Sequence, residues 1–118
     1  MKMVVAIIRP ERLPCVQLAL KMTNAELMTV SETHSYGQGE GHTLIYRSSE
    51  IRFRSTPKLR VEILTEDFEA EEVVDAILHA GFPSGASSKN DGRIFVVSLD
   101  HYCDLSEREH DALPARSR

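Results

Sequence analysis

The residues at 58–64, KLRVEIL, alternate charged and apolar side chains along almost their whole length. Because successive side chains of a β-strand point to opposite sides, this period is typical of a strand with one apolar and one charged face. The apolar face comprises Leu59, Val61 and Ile63, and the charged face comprises Lys58, Arg60 and Glu62. We therefore predict a sheet that is covered on one side and open on the other.

Three further segments have the composition of strands. Residues 1–9 and 93–99 are compact runs rich in Val and Ile. The segment 27–36 contains three apolar residues near its start, and Ser and Thr alternate after them. The first run is typical of a buried strand, and 27–36 of a half-exposed one. The run at 93–99 is apolar on both faces, which favours a central or covered position in the sheet.

Two segments between the strands have apolar residues at helical spacing. The first begins near Leu13, with Pro14 in a first turn that tolerates its missing N–H, and ends at Asn24. The second covers 68–82, with Asp67 as the predicted N-cap, carboxylates in its early turns and Gly81 as its stop. Both should pack on the apolar face of the sheet.

The order of these elements predicts an α+β, ferredoxin-like βαββαβ fold, with a four-stranded antiparallel sheet and two helices on one face. A chain of 118 residues suits one such domain. We assign it to residues 1–103 and the remainder, 104–118, to a C-terminal tail. On the open face, Thr29, Ser31 and Thr33 should join the charged residues, which favours a solvated, ligand-lined or assembly surface.

Charge, composition and residue spacing exclude several classes of function. The formal net charge is −4, which argues against nucleic acid as a partner. No apolar run approaches a membrane span, and we interpret the N-terminus as a strand rather than a signal peptide, so we expect a cytoplasmic protein without membrane insertion. Cys15 and Cys103 should be free thiols, and the histidines lack metal-ligand spacing. No nucleophile stands with an activating base, so we expect no enzyme.

A long connection at about 37–55 separates the second and third predicted strands, although a hairpin turn needs only about two to five residues. It opens with Gly37, Gly39 and Gly41, which suit close approach to an anion or simple loop flexibility. Between residues 37 and 60 the sequence has five cations and two carboxylates, a net +3 in an acidic chain. A second loop is predicted at about 83–92.

Four segments in order resemble the PII signal-transduction family: MKMVVAIIRPERL, GEGHTLIYRSSEI, PKLRVEIL and NDGRIFVVSL. The similarity needs no gap over residues 1–82 and extends to about residue 99. It implies a homotrimer that binds adenine nucleotide between subunits. It also implies that the long connection is the family's T-loop, which docks on a target protein such as a membrane transporter or an enzyme.

The resemblance assigns a nucleotide site. Lys58 would contact a phosphate or the carboxylate of a co-ligand, although an ordinary solvated charge is the alternative. Glu62 and Thr29 would lie near the adenine and ribose, with apolar contacts from neighbouring strands, and a cation at 93 near the phosphates. The full set is Ile7, Thr29, Gly37, Gln38, Lys58, Glu62, Leu64, Asn90, Asp91, Gly92 and Arg93.

Departures from the family pattern bear on the ligand. The family's glutamine that contacts magnesium and 2-oxoglutarate corresponds to Gly39, and the neighbouring Gln38 would point the opposite way in extended chain. This argues against 2-oxoglutarate as a co-ligand. The co-ligand could be bicarbonate, another small anion or none, and the need for Mg²⁺ stays open. The family's two tail arginines fall near Asp104 and Ser106. Fewer cations weaken triphosphate binding and put ADP and AMP on equal terms with ATP.

The T-loop should bind an acidic or membrane-borne partner. The resemblance and the charge assign this role to His42, Tyr46, Arg47, Arg52 and Arg54. The tyrosine that some relatives uridylylate corresponds to Ile51, which excludes that modification at this place. Ser49 corresponds to a serine phosphorylated in other relatives.

Two alternatives to a nucleotide sensor stay open. The altered tail favours an interaction module whose nucleotide site has decayed, whereas the retained Lys58, Glu62 and Arg93 argue against it. A small nucleotide-hydrolysing enzyme on the same scaffold would need an activated nucleophile, for which the sequence has no motif.

Overall fold

A computed structural model describes residues 1–25, 27–37, 43–46, 49–52, 54–83 and 92–107 of the chain. The strands are β1 (Lys2–Ile8), β2 (Met28–Gly37), β3 (Thr43–Tyr46), β4 (Ser49–Arg52), β5 (Arg54–Thr65) and β6 (Arg93–Ser98). The helices are α1 (Leu13–Leu20) and α2 (Ala70–Gly81), each preceded by a short 3₁₀ turn, and a third 3₁₀ turn spans Leu105–Glu107. No helix among these residues is long and apolar enough to cross a membrane.

The main sheet has the strand order β2-β5-β1-β6, and all its pairs are antiparallel. β1 lies at the centre, where Val4 faces Ile63 of β5 on one side and Val96 of β6 on the other. Sequential strands are therefore not sequential in the sheet, as the two crossovers through α1 and α2 require. The predicted ferredoxin-like arrangement is confirmed.

The core lies between the sheet and the two helices. Alternate residues of β1 and β5 supply one side of it and the helices supply the other, as the predicted apolar face of KLRVEIL requires. The fully buried members are Val4, Ala6, Ile8, Val16, Val61, Ile63 and Ile77. Leu59 is half-buried and packs against this cluster.

β6 differs from its prediction. Its apolar composition favoured a central or covered strand, but β6 is the last strand of the described sheet and neighbours β1 on one side only. Phe95, Val96 and Val97 are 40%, 42% and 38% exposed within the protomer. Both faces of this edge strand are therefore apolar and accessible, which is unusual for a surface that stays in water.

The start of α2 differs from its prediction. Asp67 does not cap α2: a 3₁₀ turn intervenes, and the N-cap residue, Glu69, makes no side-chain capping bond. The Asp67 carboxylate instead accepts a 2.7 Å hydrogen bond from the N-terminal ammonium of Met1. α2 ends at Gly81 as predicted.

Arg12 connects the two helices. Its Nε and Nη2 donate to the carbonyl oxygen of Ala80, at 3.0 and 2.6 Å, and so bind an otherwise open carbonyl near the C-terminus of α2. α1 ends at Leu20, earlier than the predicted Asn24. There the Thr23 hydroxyl donates to the Leu20 carbonyl and accepts from the Ala25 N–H, which stabilises the turn.

The strands β2 and β5 extend into the predicted connection at 37–55. β2 and β5 stay paired as far as Gly37 and Arg54, so the two strands leave the sheet as a ribbon. β3 and β4 then form a separate two-stranded pair, in which Tyr46 faces Ser49. Gln38, His42 and Arg47, most of the second loop and the tail beyond 107 lie outside the described residues.

The position of α2 on the sheet can be tested with neighbouring residues. Ile77 is fully buried, whereas Leu78 is 44% exposed. Ile77→Ala should lower the free energy of unfolding by about 2–5 kcal/mol through lost contacts and a residual cavity. Leu78→Ala is the control and should cost less than about 1 kcal/mol, because little of its surface leaves water. Equal losses in urea unfolding would contradict this packing.

The ion pair at the N-terminus predicts a pH dependence. The hydrogen bond from the N-terminal ammonium, aided by its charge, lowers the pKa of Asp67 below its ordinary value of 3.8. Because the folded-state pKa is the lower one, the pair stabilises the protein above 3.8 and this contribution disappears as the pH falls through the folded-state value.

Asp67→Asn should therefore melt below the parent protein at neutral pH, and the difference should shrink as the pH falls below 3.8. Glu66→Gln removes the adjacent exposed carboxylate and is the matched control. A melting-temperature difference for Asp67→Asn that stays constant into acid would contradict the ion pair.

Candidate functional site

The side of the sheet away from the helices, here called the open face, carries most of the predicted site residues. Directly opposed residues of antiparallel strands point to the same side, so the register sets out rows across this face. One row runs Thr29, Glu62, Val5, Phe95, and the next runs Ser31, Arg60, Ile7, Arg93. Lys58 lies opposite Thr33 in the following row.

The open face differs in charge from the whole chain. Among its described residues, Lys58, Arg60 and Arg93 are cations and Glu62 is the single carboxylate, in a chain of net charge −4. The hydroxyls of the β2 residues line one side of this group. Such a surface suits an anionic ligand that also offers hydrogen-bond donors.

Arg60 and Glu62 form an ion pair on this face. The Arg60 Nε lies 2.8 Å from Glu62 Oε2, and the two side chains are 38% and 35% exposed. Residues two apart in a strand share a face, which brings the pair together without any long-range contact. At this exposure the pair contributes little stability, about 0–1 kcal/mol, but it fixes the direction of the carboxylate.

Lys58 is 2% exposed, although it belongs to the charged face of the strand. Burial of an ammonium is costly unless other groups solvate it, so the protein holds this side chain rather than leaving it in water. The alternative of an ordinary solvated strand charge is therefore wrong.

Gly92 brings the second loop onto the sheet. Its φ is +156°, and a Cβ built there would overlap Phe82 Cε1 and lie 2.6 Å from the carbonyl oxygen of Ile7. Only a residue without a side chain allows the chain to pass this close to β1. Gly92 therefore sets Arg93 and Ile7 side by side at one edge of the open face.

Not all predicted site residues meet in one protomer. Ile7, Thr29, Lys58, Glu62 and Arg93 share neighbouring rows, and Leu64 lies opposite Met3 further along β1. Gly37 pairs with Arg54 and lies four residues beyond Thr33, which pairs with Lys58. At the rise of a strand, this separates Gly37 from Thr33 by about 13 Å along β2. Asn90 and Asp91 lie outside the described residues, and Tyr46, Arg52 and Arg54 are placed only by their strand positions.

The start of the tail forms a closed turn. The backbone N–H and the hydroxyl of Ser106 donate to Asp104 Oδ1, at 2.9 and 2.7 Å. These bonds, the hydroxyl first, lower the pKa of Asp104 below its ordinary value of 3.8. The start of the tail therefore presents a negative charge at neutral pH.

Two contacts at the open face were not predicted from the sequence. The Arg60–Glu62 pair had a local signal, opposite charges two apart on one face of a strand. The contact of Phe82 with Gly92 had none, because it joins the two ends of a loop. In the described residues, Cys15 and Cys103 are free and exposed, and no group of three or more His, Cys, Asp or Glu could hold a metal ion.

Comparison with known proteins agrees with the fold. The family model for "Nitrogen regulatory protein P-II" matches residues 1–109. A P-II protein from Rhizobium etli is 39% identical over 113 residues, covering 95% of this chain and 97% of that protein. The regulatory protein GlnK of Escherichia coli K12 is 31% identical over 111 residues, covering 94% and 96%.

The chain therefore belongs to the PII family of nitrogen regulatory proteins. Proteins of this family are trimeric signalling proteins rather than enzymes. The expectation of a regulatory protein without catalysis is confirmed by these relatives, which are named as regulators.

The tight passage at Gly92 gives a testable prediction. Gly92→Ala should lower the free energy of unfolding by about 1–3 kcal/mol, because its methyl group must displace the Phe82 ring and the Ile7 carbonyl. In a Phe82→Ala background the further loss caused by Gly92→Ala should be smaller but not zero, since the backbone oxygen of Ile7 remains.

Gly81→Ala is the matched control. Its Cβ would lie 3.5 Å from both Ile8 Cγ2 and Val16 Cγ2, an ordinary contact, and the residue is helical. Its effect in urea unfolding should stay within about 1 kcal/mol. Equal effects of the two substitutions would argue against the described course of the chain at 92.

Proposed function

We propose that this protein is a PII-type sensor that binds an adenine nucleotide on its open face, between the subunits of the trimer. The observation that carries the proposal is the strand register. It sets Thr29 and Glu62 in one row and Ile7 and Arg93 in the next, with Gly92 held against Ile7. These are the residues that the family resemblance assigns to the nucleotide.

The chemistry of the two rows suits a nucleotide. Ile7 and Leu64 offer apolar contact to a purine, while Glu62 and Thr29 offer an acceptor and a hydroxyl to its edge or to the ribose. Lys58 and Arg93 supply cations for phosphate oxygens. Because Asp104 stands near a position to which the resemblance assigns a phosphate-binding arginine, we expect ADP and AMP to bind on equal terms with ATP.

A small anion would bind with the nucleotide near Lys58. Bicarbonate is favoured over 2-oxoglutarate, because Gly39 stands where the family's ligand-contacting glutamine would be. The ligand would be sensed in the cytoplasm. His42, Tyr46, Arg47, Arg52 and Arg54 would carry the response to a partner, a membrane transporter or an enzyme.

The ribbon of β2 and β5 supports transmission from the site to that partner. Its pairing continues without interruption from Thr29 with Glu62 to Gly37 with Arg54. A ligand that binds one arrangement of this ribbon more tightly would shift the population of the β3–β4 tip between arrangements. The ligand state would thus be presented to the target without covalent modification at Ile51.

The second candidate is an interaction module without a working nucleotide site. The carboxylate of Asp104 favours it, because the resemblance assigns a phosphate-binding arginine near this position and an anion would oppose the phosphate. The buried Lys58 and the cation at Arg93 favour a working site.

Calorimetry on the full chain separates the two functions. AMP, ADP and ATP are titrated alone and with bicarbonate or 2-oxoglutarate. We expect ADP or AMP to bind once per subunit, and Arg93→Met to weaken ADP about tenfold through loss of a charge-assisted contact. Lys21→Met removes an exposed cation at the end of α1 and should leave the affinity unchanged. Absence of binding by all three nucleotides would contradict the proposal.

A further inference from the structure

We propose that Arg60 is a specificity-determining residue that orients Glu62 toward the 6-amino group of adenine. The inference rests on the proposed nucleotide site and adds a residue that the family resemblance did not assign. It starts from the Arg60–Glu62 ion pair, in which the guanidinium Nε lies 2.8 Å from one carboxylate oxygen, Oε2.

The ion pair occupies one oxygen of the Glu62 carboxylate. With Oε2 engaged by Arg60, the second oxygen of Glu62 is the one that can accept from a ligand. Thr29 lies directly across from Glu62 on β2, and Val5 lies across from it on β1. A donor on a flat ring that rests on the apolar β1 side would therefore meet a carboxylate held in one direction.

This arrangement discriminates between purines. Adenine has a donor amine at C6, whereas hypoxanthine and guanine have a carbonyl oxygen there. A fixed carboxylate accepts from the amine and repels the carbonyl, and a site that pairs with a donor rejects analogues that lack it. A Glu62 side chain released from Arg60 would turn away from the carbonyl at little cost, so the discrimination would fall.

The surroundings of Arg60 fit a positioning role. Ser31 lies across from it on β2 and Ile7 on β1, with Arg93 on the far side of Ile7. Arg60 is thus flanked by a hydroxyl and an apolar residue, while Glu62, on its own strand, is the carboxylate that it contacts. At 38% exposure it is not needed for the core.

The test is the ratio of ADP to inosine diphosphate affinities, measured by calorimetry on the full chain. Arg60→Met keeps the aliphatic stem and removes the guanidinium, and should lower this ratio about three- to tenfold, the effect of leaving one side chain to be ordered on binding. Arg60→Lys keeps a cation beside Glu62 and should restore part of the ratio. Lys21→Met, the charge control, should leave it unchanged.

A double substitution separates positioning from direct contact. If Arg60 acts through Glu62, the ratio for Arg60→Met with Glu62→Gln should equal that for Glu62→Gln alone. Thermal melting of each variant checks that the fold is kept. An unchanged ratio in a folded Arg60→Met protein that still binds ADP overturns the role of Arg60 alone. Failure of the parent protein to bind either nucleotide overturns the proposed function together with this inference.

Discussion

The burial of β1 on both of its faces is the constraint on which the structure depends. Its residues from Val4 to Ile8 are all buried, alternately beneath the helices and within the open face. Burying side chains of this size contributes about 1.5–3 kcal/mol each, and a slip by one residue would exchange the two sets. The pairing of β1 with β5 and β6 is thus fixed, and with it the rows of the open face.

That register decides which charges meet. Arg60 and Glu62 are brought together by the period of one strand, but Arg93 joins them only because β6 pairs with the other side of β1. The result is a cationic surface with one oriented carboxylate in an acidic protein. Fixed charges of this kind are what a small regulatory protein needs to distinguish one anionic metabolite from another.

The apolar edge at β6 has a different meaning. Exposed residues such as Phe95 and Val97 on an unpaired edge strand would favour aggregation in a protein that remained a monomer. Proteins of the PII family are trimers, and an interface between subunits is where such a surface belongs. The prediction of a central or covered strand is wrong for the protomer, because an apolar pattern in a sequence does not specify how many neighbouring strands a strand pairs with.

The sequence by itself determined the order of the elements, the apolar face of the sheet and the type of the family, because strand and helix periods are local and four motifs stand in order. Through the family resemblance, the sequence also predicted most residues of the candidate site. The tertiary structure alone decided that β6 lies at an edge, that Asp67 binds the N-terminus instead of capping α2, and that Gly92 passes between Phe82 and Ile7. Each of these joins residues far apart in the chain, whose distance depends on how the sheet closes around β1 and not on any local pattern.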